Sequence, residues 1–174
     1  MESFINFCTN NNIKLETLSN YDIINYAKQI KIKYFRGYFM RDKLPKNIKT
    51  NECGITNLEP DFENGSHWCC YWKKGKEKYY FDSYGLDPCN EMLKYLKPTK
   101  NLPPLIISTY QIQPLNTVIC GQICIYVLYM LGNNHKFIDI LLSLMNEFHP
   151  EHLGGDLNED FHALEDIATI VELL

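Results

Sequence analysis

The spacing of apolar positions divides the chain into elements of both periods. Ser19-Asn-Tyr-Asp22 has the form of a capping box, and Ile23, Ile24, Ala27 and Ile30 behind it predict an amphipathic helix. Tyr34 to Asn51, punctuated by Gly37 and Pro45, reads as loop-rich, and a short strand is predicted around Ile55. A turn-rich stretch, Glu59-Pro-Asp-Phe-Glu-Asn-Gly65, separates it from two aromatic runs, Ser66 to Trp72 and Lys78 to Asp82. These flank Lys73-Lys-Gly-Lys76 and predict a hairpin. Asp87-Pro88 opens a short helix carrying Met92, Leu93 and Leu96, and Pro104 to Thr109 reads as a buried strand. After the polar turn Gln111 to Ile119, an apolar helix runs from Cys120 to Leu131 and stops at Gly132-Asn-Asn134. Two further helices are expected, near Lys136 to Phe148 and near Asn158 to Leu174, divided by His149-Pro150 and Gly154-Gly155. Helix, then strands, then helices predicts an α+β protein, with residues 1–174 as a single domain.

Composition narrows the class without changing that picture. Of 174 residues, 45% are apolar and 22% charged, which suits a globular chain and excludes a disordered or collagen-like one. The longest apolar candidate, Cys120 to Leu131, is shorter than the ~18 residues of a membrane helix. The opening MESFINFCTNNN lacks the basic and apolar pattern of a signal peptide. Seven cysteines, an odd number with Cys69 and Cys70 adjacent, fit free thiols in a reducing compartment. The expectation is an intracellular protein, neither secreted nor membrane-bound. Charge is uneven: the first 146 residues hold 17 basic and 13 acidic residues, a net of +4, and the last 28 carry −8. Such a balance predicts weak contact with DNA at most, centred on Lys73, Lys74, Lys76 and Lys78.

The chemistry-bearing residues sit at the ends of these elements. Cys120 lies where a turn enters the apolar helix, and the positive end of a helix dipole favours a thiolate there. Gly121 beside it would let a substrate backbone approach closely. His67 is the one histidine embedded in a strand signal; the other four fall at or after residue 135. Asp82 ends the partner strand of the same hairpin, which would bring it back to His67 to orient the imidazole. Gln113, seven residues before Cys120, could aim an amide N–H at a developing oxyanion alongside the Cys120 backbone N–H; Gln111 competes for that role.

Taken together, Gly-Ser-His67-Trp68, Tyr-Phe-Asp82-Ser-Tyr-Gly and Gln113-(six residues)-Cys120-Gly121 resemble the adenovirus-type maturation proteases (adenains) and their relatives, the ubiquitin-like-protein proteases. Tyr34-Phe-Arg-Gly-Tyr-Phe-Met-Arg-Asp-Lys-Leu-Pro45 and Gly54-Ile-Thr-Asn57 are similar to the adenain N-terminal pattern, so the likeness covers roughly residues 20 to 135. The short chain, rich in Asn, Ile, Lys and Tyr, looks most like the versions carried by virophages and Polinton/Maverick elements. The resemblance implies a papain-like, adenain-like cysteine peptidase fold: a mixed central sheet flanked by helices, with the catalytic cysteine at a helix N-terminus. It implies Cys120 as nucleophile, His67 as base and acid, Asp82 as orienting acid and Gln113 as oxyanion donor. Trp68 would cover the face of His67 and, with Gly121, contact substrate. The implied substrates are viral capsid or core precursors cut at Gly-containing sites, in a viral factory or virion, by a monomer that requires no cofactor. The family's activating peptide and DNA are further implied partners, although the acidic C-terminal end disfavours DNA here, and the cysteine that would hold the peptide stays open among Cys8, Cys53, Cys69, Cys70 and Cys89.

Two other functions compete. An isopeptidase acting on ubiquitin-like modifiers would use the same four residues, whereas a non-catalytic binding module would have no need of all four. A metal site among His149, His152 and His162 matches no closed zinc spacing.

Overall fold

The computed structural model describes residues 1–63, 65–96, 104–150 and the backbone of 168–171. Its spine is the aromatic run Trp68–Lys74, which forms β3 and is buried on both faces. Strand alternation explains why. Trp68, Cys70 and Trp72 enter one apolar cluster, while Cys69 and Tyr71 enter another on the opposite face. β3 pairs antiparallel with β2 (Asn51–Asn57) and with β4 (Glu77–Phe81). Outside them, β1 (Phe35–Met40) lies parallel to β2, and β5 (Leu105–Ser108) lies parallel to β4. β6 (Ala168–Val171) runs antiparallel to β5, completing a six-stranded mixed sheet in the order β1 to β6.

Helices cover both faces. α1 (Phe4–Asn10), α2 (Asn20–Gln29), α4 (Cys120–Gly132) and α5 (Phe137–Phe148) share the first cluster; α3 (Asn90–Leu96) closes the second. α4 lies on β3 and is buried around nearly its whole circumference, as a helix apolar on every side must be. The capping box of α2 forms as its sequence predicts, with Ser19 and Asp22 exchanging side-chain and backbone hydrogen bonds. On the second face Glu52 is buried between Arg36, 2.7 Å away, and the hydroxyls of Tyr71 and Tyr95, tying β1, β2, β3 and α3 together.

Two expectations need correction, and one helix was not foreseen. Residues 35–40 form a strand inside the stretch read as loop. Gly37 interrupts the local pattern, and the strand exists through pairing with β2, with a register shift between Phe35 and Gly37. Within the helix expected near Asn158 to Leu174, residues 168–171 are β6 instead: Thr169, Ile170 and Val171 are β-branched and pair along β5; the remaining residues of that expectation lie outside the described ones. α1 was not anticipated, although Ser3 caps it by accepting from the Asn6 amide and Phe4, Phe7 and Cys8 make its buried face. It is a seven-residue helix whose first amides, Phe4 and Ile5, donate to Glu147 at 2.7 and 2.8 Å, a partner more than 140 residues away.

The hairpin tip is also less open than its lysines suggest. Lys73 Nζ donates to the carbonyls of Thr50 and Gly75, and the buried Lys78 donates to the Leu96 carbonyl at the end of α3. Among the described residues no helix is long and apolar enough to cross a membrane, and no cluster of His, Cys, Asp and Glu is placed to hold a metal. His149 instead packs on Tyr110 with Nε2 2.9 Å from the Ile112 carbonyl; His152 and His162 lie outside the described residues.

Candidate active site

The hairpin register brings the first two site residues together. Cys70 stands opposite Phe81, so the strand continues with Asp82 level with Cys69, one side-chain period from His67 on the same face. His67 Nε2 lies 2.9 Å from Asp82 Oδ2; the aspartate is fully buried and the histidine 8% exposed. Asp82 is itself fixed. Its second carboxylate oxygen accepts from the Tyr84 amide at 2.8 Å, and its backbone N–H donates to Ser108 Oγ on β5.

Cys120 is the first residue of α4. No side chain caps this helix, so its leading N–H groups remain open beside the thiol. The thiol lies on the same cleft as the His67 imidazole, close enough to act on its charge. With Nε2 on Asp82, Nδ1 is the nitrogen left for sulfur. Burial alone would push the His67 pKa down, but the hydrogen bond and charge of Asp82, with the charge of Cys120, outweigh it and raise it from 6.5 to about 9. The imidazolium is therefore the favoured form at neutral pH. All seven cysteines are free, and Cys120 is one of two that are not buried.

Gln113 reaches the site through the turn after β4. Gly85, at φ +70°, closes that turn against β5: a Cβ on it would lie 2.7 Å from the Thr109 carbonyl oxygen. The Ser83 carbonyl then accepts from the amides of Ile112 and Gln113 at 2.9 and 2.8 Å. Ser83 Oγ donates to Gln113 Oε1 at 2.7 Å, and Gln113 Nε2 donates to the Thr117 carbonyl at 2.9 Å and to the Tyr84 hydroxyl at 3.2 Å. Gln111 is turned elsewhere, its amide donating to the Gln113 carbonyl.

His67, Tyr84, Gln113 and Cys120 line one open cleft of about 800 Å3, which continues past Trp68, Tyr38 and Asn57. The sequence reading missed Ser83 and Tyr84. Both lie in the Asp82-Ser-Tyr-Gly segment, but their roles depend on packing against residues about 30 positions away.

Two expected roles change. The ring stacked on His67 is Tyr84, with centroids 4.9 Å apart and planes 29° from parallel, whereas the Trp68 indole N–H donates to the Leu18 carbonyl. Neighbouring residues of an extended segment point to opposite faces, so His67 and Trp68 cannot share one side. Gly121 is buried, and a Cβ there would lie 3.2 Å from Trp68 and 3.3 Å from Leu18. Its bareness makes room for the protein's own packing, not for substrate.

No family model and no curated protein sequence matches the chain. Its fold is similar to the crystal structure of the ASFV pS273R protease, solved in selenomethionine form, with a TM-score of 0.53 and 12% identity over 78% of this chain and 68% of that one. The α+β architecture, a mixed sheet flanked by helices with a cysteine heading the helix on its central strand, is that of the papain-like fold.

Proposed function

We propose that the protein is a cysteine endopeptidase with His67, Asp82, Gln113 and Cys120 in its active site. One observation carries this reading: an imidazole held between a buried carboxylate and a cysteine at a helix N-terminus, inside an open cleft. A buried aspartate beside a structural histidine needs no thiol beside the ring and no cleft. The fold likeness to a protein named as a protease supports the same class.

The chemistry follows from the geometry. The Cys120 thiolate attacks a peptide carbonyl, and the oxyanion forms between the open amides of α4 and the Gln113 side of the cleft. His67 gives its proton to the departing amine, leaving a thioester. It then takes a proton from the water that hydrolyses this thioester. Asp82 keeps the ring oriented and stabilises the imidazolium. No cofactor enters these steps. The sequence resemblance extends the reading to viral structural precursors cut at Gly-containing sites during particle maturation. The inward-turned Lys73 and Lys78 support weak dependence on DNA.

Mass-spectrometric mapping of cuts in candidate capsid precursors tests this, with a fluorogenic ubiquitin-like conjugate in parallel. Cuts after Gly that vanish in Cys120→Ala are expected; release from the conjugate alone would make the protein an isopeptidase.

A further inference from the structure

Both N–H groups of the Gln113 amide are already engaged. The Thr117 carbonyl can only accept, which fixes Nε2 on that side and Oε1 on the Ser83 hydroxyl. The second N–H then goes to the Tyr84 oxygen. A phenol that accepts from an amide keeps its own proton to donate, and among the described residues none accepts from Tyr84. Tyr84 is half-buried, lines the same cleft as Cys120, and is anchored at both ends: its ring lies on His67, its amide on Asp82, its hydroxyl on Gln113.

We infer that the Tyr84 hydroxyl is a catalytic hydrogen-bond donor to the oxyanion, with Gln113 as the residue that positions and polarises it. This rests on the peptidase reading and specifies which atom serves the developing charge. As Cys120 Sγ bonds to the carbonyl carbon, the C=O π pair moves onto oxygen. The Tyr84 O–H and an α4 backbone N–H donate to that oxygen without transferring a proton. When the pair returns, the C–N bond breaks and the amine leaves with the proton of His67. Gln113, holding Tyr84 from behind, donates into the phenol oxygen and so strengthens the phenol as a donor. Burial, with the neighbouring Cys120 and Asp82 charges, raises the Tyr84 pKa, which keeps the proton on the phenol through the working range.

Tyr84→Phe tests this, because it keeps the ring on His67 and removes only the hydroxyl. The probe is a fluorogenic peptide ending in Gly-Gly-aminocoumarin. In parallel, the rate of Cys120 alkylation by iodoacetamide reports the thiolate and involves no oxyanion. The expected result is a kcat lower by about 10²-fold, KM within about 3-fold and alkylation within about 2-fold of the parent protein. A kcat loss under about 10-fold would overturn the proposal and return the donor role to Gln113. So would an alkylation rate that falls together with kcat, since Tyr84 would then act on the His67–Cys120 pair. A parent protein that alkylates at Cys120 yet hydrolyses no peptide would defeat the peptidase reading itself, and this proposal with it.

Discussion

Ser83 Oγ and Gln113 Oε1 are 2.7 Å apart, both residues fully enclosed, and this bond joins the turn after β4 to the loop before α4. It is the link between the half of the site that carries Asp82 and the half that leads into Cys120. Removing the hydroxyl leaves a buried amide oxygen unpaired, a cost of about 1–3 kcal/mol. Ser83→Ala should therefore lower the melting temperature and reduce kcat by about ten-fold with little change in KM. Thermal denaturation and steady-state kinetics on one preparation check both, and an unchanged kcat would show that Gln113 keeps its orientation without Ser83.

Cys120 should be the first thiol to react. Burial, with the charges of Glu147 and Glu2, pushes the Cys8 thiol up to about 12, and burial likewise raises Cys53, Cys69, Cys89 and Cys124. Brief iodoacetamide treatment followed by peptide mapping should place the label on Cys120, with activity lost in proportion. Cys120→Ala should abolish turnover and leave the melting temperature within a few degrees.

Asp82→Asn keeps the shape of the side chain and removes its charge. It should cost about 10²–10⁴ in kcat, chiefly through loss of imidazolium stabilisation. The pH dependence carries the sign. His67 is raised to about 9, so the imidazolium and the activity that needs it should persist up to that pH and fall away above it. Without the Asp82 charge the alkaline limb should move toward neutrality. The same shift links to stability: because the unfolded histidine titrates near 6.5, the stabilisation is full below that pH and is lost as pH rises through about 9. A pH–rate profile of both proteins decides, and an unmoved alkaline limb would remove Asp82 from that role.

Glu52→Ala serves as a contrast far from the chemistry. It removes the acceptor of the Tyr71 and Tyr95 hydroxyls and the counter-charge of Arg36, which keeps the Asn47 carbonyl, so about 1–3 kcal/mol of stability should be lost. Below the new melting point kcat should be nearly unchanged. A proportionate fall in kcat would mean that the second core transmits strain to the cleft.

Gly121→Ala asks whether the head of α4 tolerates a methyl group. The new Cβ would sit 3.2 Å from Trp68 and 3.3 Å from Leu18, so those side chains must yield by a few tenths of an ångström. Overpacking of this kind should cost about 1–3 kcal/mol. KM should change little, because the residue faces the interior; a large rise in KM would restore it to the substrate path.

Local chemistry wrote much of this protein into its sequence. The capping box of α2, the hairpin of β3 and β4, the apolar α4 with Cys120 at its head, and the placing of His67 and Asp82 on one hairpin all follow from periods of 2 and 3.6 and from turn residues only a few positions apart. What the sequence could not decide depends on partners far along the chain. β1 and β6 are strands because an open edge accepts them, and α1 is a helix because Glu147 and the core receive it. The roles of Ser83, Tyr84 and Gly121 came only from packing, since a hydroxyl, a ring or a missing Cβ acquires a function from whatever the fold sets within 3 or 4 Å of it.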